Sequence, residues 1–145
     1  MEELTGTPAT CASTTAGSGV AEALLREVAR LLDALARDPG YSAAIDLRSL
    51  PMQDADLACL RHRLGDGEVE ARFDQVGPTR ITETAYAGVW WVRHADADDR
   101  AVLEQVVVAR VPALLLAHPA DIDDAAHRLA TELAAATRQG ETLHD

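Results

Sequence analysis

The sequence contains no lysine and no asparagine; all 13 of its basic residues are arginine. Schiff-base chemistry on a lysine amine, a lysine phosphate clamp and asparagine glycosylation are excluded together. With alanine so abundant, the bias reads as the coding of a GC-rich genome. Cysteine is equally scarce. Cys11 and Cys59 stand far apart and form no C-x-x-C pair, so one chain cannot supply the four thiolates of a structural zinc or iron–sulfur site. Cys11 reads as a solvated thiol, and Cys59, beside an apolar helix face, as a small buried hydrophobe. No apolar run reaches the ~18 residues of a spanning helix. There is no secretory apolar region and no twin-arginine start, which places the chain in a reducing cytoplasm. Positive charge is in deficit, with 13 basic against 24 acidic residues and a net charge of −11. Such a surface repels phosphate backbones, which argues against nucleic acid and against anionic membranes as partners.

What remains is a globular composition. The chain has 145 residues, 48% of them hydrophobic and 26% charged, enough for one self-sufficient core. Residues 1–17, rich in Thr, Ala and Gly, read as a flexible leader, residues 18–138 as a single domain, and residues 139–145 as a fraying tail.

Hydrophobic periodicity orders the elements. Val20, Ala21, Leu24, Leu25, Val28, Leu31, Leu32 and Leu35 recur at helical spacing after Ser18, a plausible cap, and Asp38-Pro39-Gly40 stops the helix. Tyr41 to Leu50 reads as a strand. Residues 53–64 read as a short helix with Leu57, Leu60 and Leu64 on one face, Asp54 and Asp56 at its positive end and Gly65 after its last turn. From Gly67 the period falls to two: Val69, Ala71 and Phe73 alternate with charged residues. Val76 to Thr79 makes a turn, and strands follow at Arg80–Tyr86 and Val89–His94. Ala87-Gly88 between them is either a hairpin turn or a bulge in one long strand. After the acidic turn Ala95–Asp99, Val102–Val111 is apolar on both faces at Val106-Val107-Val108 and reads as a central strand. Pro112 ends it or opens a short helical segment at Ala113–Ala117. A last helix runs from Asp121, as its cap, to about Arg138, closed by Gly140. This order predicts an α+β fold: a mainly antiparallel sheet of four to five strands packed with amphipathic N- and C-terminal helices.

Catalytic signatures are weak. No serine lies in G-x-S-x-G, and Gly65-Asp66-Gly67 is too short for a dinucleotide loop. His118 and His127 flank Asp121, Asp123 and Asp124, yet their separation spans a helix start and suits helix capping better than zinc. His94 with Asp96, Asp98 and Asp99 lacks the spacing of a calcium loop and reads as a polar turn. No metal ligand and no cofactor is assigned. The informative stretch is Glu83 to Val92, ETAYAGVWWV. Alternation puts Glu83 on the side of Ile81 and opposite Thr82, Thr84 and Tyr86. Trp90 and Trp91 must point to opposite faces. A tryptophan left uncovered there would be a partner anchor, so Glu83, Thr84, Tyr86, Trp90 and Trp91 form the candidate contact set.

Leu64-Gly65-Asp66-Gly67-Glu68-Val69, Ile81-Thr82-Glu83-Thr84 and Gly88-Val89-Trp90, taken in order, resemble the LG-x-GEV, I-x-ET and GVW motifs of the HupH/HyaF-type hydrogenase expression family, in its carboxyl-terminal region. The motif residues are Gly65, Gly67, Glu68, Val69, Glu83, Thr84, Gly88 and Trp90, and the likeness extends over roughly residues 45 to 135. The resemblance implies a non-catalytic accessory factor, chaperone-like or scaffold-like, in the maturation of [NiFe]-hydrogenase. Its partner would be the iron–sulfur small subunit or another accessory protein. Two other classes fit the residues alone: a small metal- or cofactor-binding enzyme using Glu83 with His94 or His118, and a structural homodimer that buries a sheet edge.

Overall fold

The computed structural model describes residues 19–74 and 76–142. The backbone divides into two compact units, one ending at Pro112 and one beginning at Ala113. The first unit opens with helix α1, Val20–Arg37. Its Ala21, Leu24, Val28, Leu31 and Leu35 are buried, the stripe that helical spacing predicts. Gly19 stands at its N-cap with φ 76° and no side-chain cap; Ser18, the predicted cap, lies outside the described residues. Asp38 closes the helix, its N–H donating to the Ala34 carbonyl while its Oδ1 accepts from the Gly40 N–H.

Strand β1 is shorter than predicted, only Ala43–Asp46. Asp46 ends it: its Oδ1 accepts from the Arg48 N–H and its carbonyl from the Ser49 hydroxyl. These local bonds replace ladder bonds and turn Leu47–Ser49 into a single 3-10 turn. Helix α2, Asp54–Leu64, follows. Asp56 does more than complement the helix dipole: it is buried, and its Oδ2 accepts the Gln53 N–H at 3.1 Å, one half of a capping box. Leu60 and Leu64 point into the core. Cys59, read as a small buried hydrophobe, is instead half-buried and disulfide-bonded; Cys11 lies outside the described residues.

Four strands complete the sheet: β2 (Glu70–Asp74), β3 (Pro78–Glu83), β4 (Val89–Ala95) and β5 (Ala101–Val108). Every pairing is antiparallel, in the order β1-β5-β4-β3-β2. β5 is therefore an interior strand, as its valine run requires, and the fold is α+β. β3 stops three residues before the predicted Tyr86. Thr84 N–H donates to the Val89 carbonyl and Val89 N–H to the Tyr86 carbonyl, so the segment is a hairpin turn with Gly88 at φ 87°.

The core lies between the two helices and one sheet face. Val89 and Trp91 on β4 stand beside Val108 and Val106 on β5, and all four join the leucines of α1 and α2. Trp90, one residue on, faces the other way, and both indoles are buried, at 6% and 5% exposure.

The second unit comprises a 3-10 turn, Ala113–Leu115, and helix α3, Pro119–Thr142. Its cap is His118 rather than the predicted Asp121. The His118 carbonyl accepts from the Asp121 and Ile122 N–H groups, and its Nδ1 from the Ala120 N–H. Pro119 suits the first helical position because the N–H it lacks has no partner there. The helix also runs through Gly140, where a stop was predicted.

Candidate functional site

Three stretches that are distant in sequence meet at one end of the sheet. After α2, the chain from Leu64 to Val69 runs alongside the β3–β4 turn. Ala85 N–H donates to the Leu64 carbonyl, Gly67 N–H to the Glu83 carbonyl and Glu83 N–H to the Val69 carbonyl, at 2.7–2.9 Å. Glu83 Oε1 accepts weakly from the Glu68 N–H at 3.4 Å. The Thr84 hydroxyl donates to the Val89 carbonyl and accepts from the Tyr86 N–H, which holds the turn from inside. Gly67 is required by close approach: a Cβ there would lie 2.5 Å from the Thr84 carbonyl oxygen and 2.6 Å from Glu83 Oε1. Gly88 is required by its positive φ, and its Cβ would meet Leu35 Cδ2 of α1 at 2.9 Å.

This corner gathers Gly65, Gly67, Glu68, Val69, Glu83, Thr84, Gly88 and Trp90, and Tyr86 stands at its tip with 51% exposure. Of the five candidate contact residues, Tyr86 is exposed, Glu83 half-buried, and Thr84, Trp90 and Trp91 buried. Neither tryptophan is an uncovered anchor. Trp90 Nε1 donates to the Ala109 carbonyl at 3.0 Å and Trp91 Nε1 to Glu104 Oε2 at 2.9 Å. Glu83 and His94 are not brought together: Glu83 pairs with Trp90, whereas His94 pairs with Thr79 four positions along β3 and shares a hydrogen bond with its hydroxyl at 2.6 Å. Among the described residues, no group of three His, Cys, Asp or Glu could hold a metal ion.

A second feature lies on the helix-covered side of the sheet. A cavity of about 360 Å³ is lined by Asp54, Leu57, Ala58 and Arg61 of α2, Arg80 and Thr82 of β3, Trp91 and Arg93 of β4, and Glu104 of β5. The Arg61 guanidinium carbon lies 5.2 Å from the Trp91 ring centroid, a cation–π distance. Arg61 Nη2 donates to Asp66 at 3.1 Å, while its buried Nη1 has no partner. Arg80 reaches Glu70 at 3.5 Å, and Arg93 reaches the Asp99 carboxylate at 3.5 Å. The Glu70 carboxyl is held below its ordinary range, chiefly by the hydrogen bond from Arg72. Reading the sequence alone did not single out this arginine trio. Its members come from three elements, and the available hint was Glu104, a lone carboxylate in a strand of valines.

The fold and the corner define a small α+β domain organised around three turn motifs. Residues 20–136 match the family described as HupH hydrogenase expression protein, C-terminal conserved region, and the chain belongs to that family. It is 37% identical over 86 residues to the hydrogenase expression/formation protein HoxQ of Azotobacter vinelandii, covering 59% of this chain and 30% of that protein. It is 35% identical over 103 residues to the hydrogenase expression/formation protein HupH of Rhodobacter capsulatus, covering 70% and 38%. The hydrogenase-1 operon protein HyaF of Escherichia coli (strain K12) is 33% identical over 86 residues, with 59% and 30% covered. The chain thus spans only about a third of the length of these relatives. The solved structure of the hydrogenase expression protein HupH from Thiobacillus denitrificans is similar with a TM-score of 0.77 and 38% identity, over 81% of this chain and 98% of that one. No helix among the described residues is long and apolar enough to cross a membrane.

Proposed function

We propose that this chain is a non-catalytic accessory factor in the maturation of [NiFe]-hydrogenase, with residues 18–138 as the working domain. It acts by holding the iron–sulfur small subunit or another assembly protein. The observation that carries this reading is the family match across residues 20–136, together with relatives that are named hydrogenase expression/formation proteins. The motif corner supports it from the geometry. Backbone hydrogen bonds tie its three stretches together, so its motifs build one platform, and the platform presents Tyr86 to solvent. Tyrosine offers a large amphipathic contact at low entropic cost, which suits protein recognition. In this reading Tyr86 and Glu83 touch the partner, while Thr84, Trp90 and Trp91 fix the platform from beneath.

The test is co-purification from cells expressing the hydrogenase operon. The tagged wild-type chain enriches a hydrogenase subunit or accessory protein, and Tyr86→Ala loses that enrichment while keeping its melting temperature. No enrichment with the wild type would sink the proposal. A second reading is self-association, for which α3 carries Ile122, Leu129 and Leu133 along one apolar stripe of the helix. Sedimentation of the wild type against Leu129→Glu distinguishes them: a dimer that the variant dissociates supports self-association, and a monomer in both removes it.

A further inference from the structure

The sheet of the first unit ends at β2, the last strand in the order β1-β5-β4-β3-β2. One side of its backbone is paired with β3 and the other is an open edge. The direction of each residue follows from one bond. Glu83 N–H donates to the Val69 carbonyl, and backbone groups alternate in direction along a strand. Val69, Ala71 and Phe73 therefore turn their backbone toward β3, while Glu70, Arg72 and Asp74 turn theirs outward. The side chains of Arg72 and Arg80 beside this edge are 68% and 54% exposed. Glu70 and Arg72 share an ion pair that uses Glu70 Oε1 and Arg72 Nε, and Arg80 Nε reaches the same oxygen. Among the described residues, Glu70 Oε2 and the terminal nitrogens of Arg72 take no part in these pairs. On the opposite face Val69, next to the strand, is 47% exposed.

We propose that β2 is a contact between two copies of this chain, paired antiparallel about a two-fold axis at Ala71. Charge selects this register, because residues directly opposite each other share a face and interact. With the axis at Arg72, that arginine faces its own copy and Glu70 faces Asp74, like against like. With the axis at Phe73, Arg72 meets Asp74, but Glu70 runs against the β2–β3 turn at Val76 and Val69 stays uncovered. With the axis at Ala71, Glu70 of each copy faces Arg72 of the other, Val69 faces Phe73, and the small Ala71 faces itself. The outward N–H and C=O groups of Glu70 and Arg72 then form four backbone hydrogen bonds between the copies. Glu70 Oε2 meets the terminal nitrogens of Arg72 across the seam. Glu68 against Asp74, like charges again, ends the contact at either side. Each copy carries a net charge of −11, which opposes indiscriminate association and leaves the alternating charges of β2 to choose the partner. Roughly five residues a side fall well short of the 20–30 of a standard interface, so the dimer is weak and reversible. This contact is independent of the hydrogenase reading and of α3.

The test is sedimentation of the purified full chain up to about 1 mM, with two charge reversals. Wild type is expected to dimerise as concentration rises. Glu70→Arg and Arg72→Glu each place like charges across the seam and weaken dimerisation by at least about tenfold. An equimolar mixture of the two variants restores opposite charges at both crossings, so it associates although neither variant does so alone. Repair of the pair within one strand cannot produce that recovery. A second measurement needs no variant. In wild type, amide exchange at Glu70 and Arg72 slows with concentration, while Ala71 and Phe73, bonded to β3, do not change. A wild type that stays monomeric at about 1 mM overturns the proposal, as do reversals that dimerise like the wild type. A mixture of folded variants that fails to associate overturns it too. Protection of Arg72 and Asp74 without Glu70 would place the axis at Phe73 and overturn the register. A dimer lost in Leu129→Glu but kept in both reversals would place the contact on α3 instead.

Discussion

The Trp91 indole donates to Glu104 Oε2 across neighbouring strands at 2.9 Å, and both side chains are buried. The pair explains how a carboxylate is tolerated on interior strand β5: each buried polar group satisfies the other. Glu104→Gln keeps a carbonyl acceptor at the same reach and is expected to cost less than about 1 kcal/mol. Glu104→Leu leaves a buried indole N–H without an acceptor and is expected to cost about 1–3 kcal/mol. Urea unfolding followed by tryptophan fluorescence separates the two; equal stability of the variants would remove the pair from the account of the core.

The glycines of the corner and of α3 should respond oppositely to alanine. At Gly67 the new Cβ would fall 2.5 Å from the Thr84 backbone oxygen. A backbone atom cannot step aside cheaply, so Gly67→Ala is expected to destabilise by about 1–3 kcal/mol. At Gly140 nothing lies within 4 Å, and the position is helical. Gly140→Ala should therefore raise helicity, favouring the helix by about 0.5–1 kcal/mol. Thermal melting of the first variant and far-ultraviolet circular dichroism of the second are the measurements. A stable Gly67→Ala protein would show that the turn shifts as a body.

Particular residues show how far the sequence could be read. The apolar stripe of α1 and the alternation in β2 survive because period alone decides which face is wet. The opposed directions of Trp90 and Trp91 follow from strand geometry in the same way. Boundaries failed where a side chain competes with the ladder: Asp46 ended β1 early, and His118 capped α3 in place of Asp121. The choice at Ala87-Gly88 needed the Val89–Tyr86 bond, which no local pattern reveals. The motif corner was legible as three strings but not as one place, since the Gly67–Glu83 and Ala85–Leu64 bonds are tertiary. The burial of both indoles was invisible for the same reason: their acceptors, Glu104 and the Ala109 carbonyl, lie 13 and 19 residues away.

Surface charge gives a prediction in acid. Hydrogen bonds from Arg72 and Arg30 hold the Glu70 and Glu27 carboxyls below their ordinary values. A carboxyl depressed on folding contributes stability above its unfolded pKa and loses it as pH falls through its folded pKa. These pairs therefore favour the native state at neutral pH and fade below the ordinary carboxylate range. Both glutamate side chains reach solvent, at 40% and 38% exposure, so salt should screen the effect. Arg72→Gln is expected to move the Glu70 titration midpoint upward, measured by carbon-detected NMR, while leaving that of Glu27 in place. An unchanged Glu70 midpoint would show that Arg72 does not set it.

The Thr84 hydroxyl is the pin of the β3–β4 turn, because it donates to the Val89 carbonyl at 2.9 Å and accepts from the Tyr86 N–H at 3.1 Å. Thr84→Val has nearly the same shape and removes both bonds; the Val89 carbonyl keeps the Thr84 N–H, while the Tyr86 N–H is left to find another partner. The expected cost is about 1–2 kcal/mol, at roughly 1 kcal/mol for each bond. Thr84→Ser restores the oxygen and should recover most of the loss. Because the hydroxyl fixes the residue that carries Tyr86 to the surface, Thr84→Val should also raise amide exchange at Ala85–Gly88 while the β5 amides stay protected. Exchange that rises equally in β5 would mean a general loss of stability and no special hold on the turn.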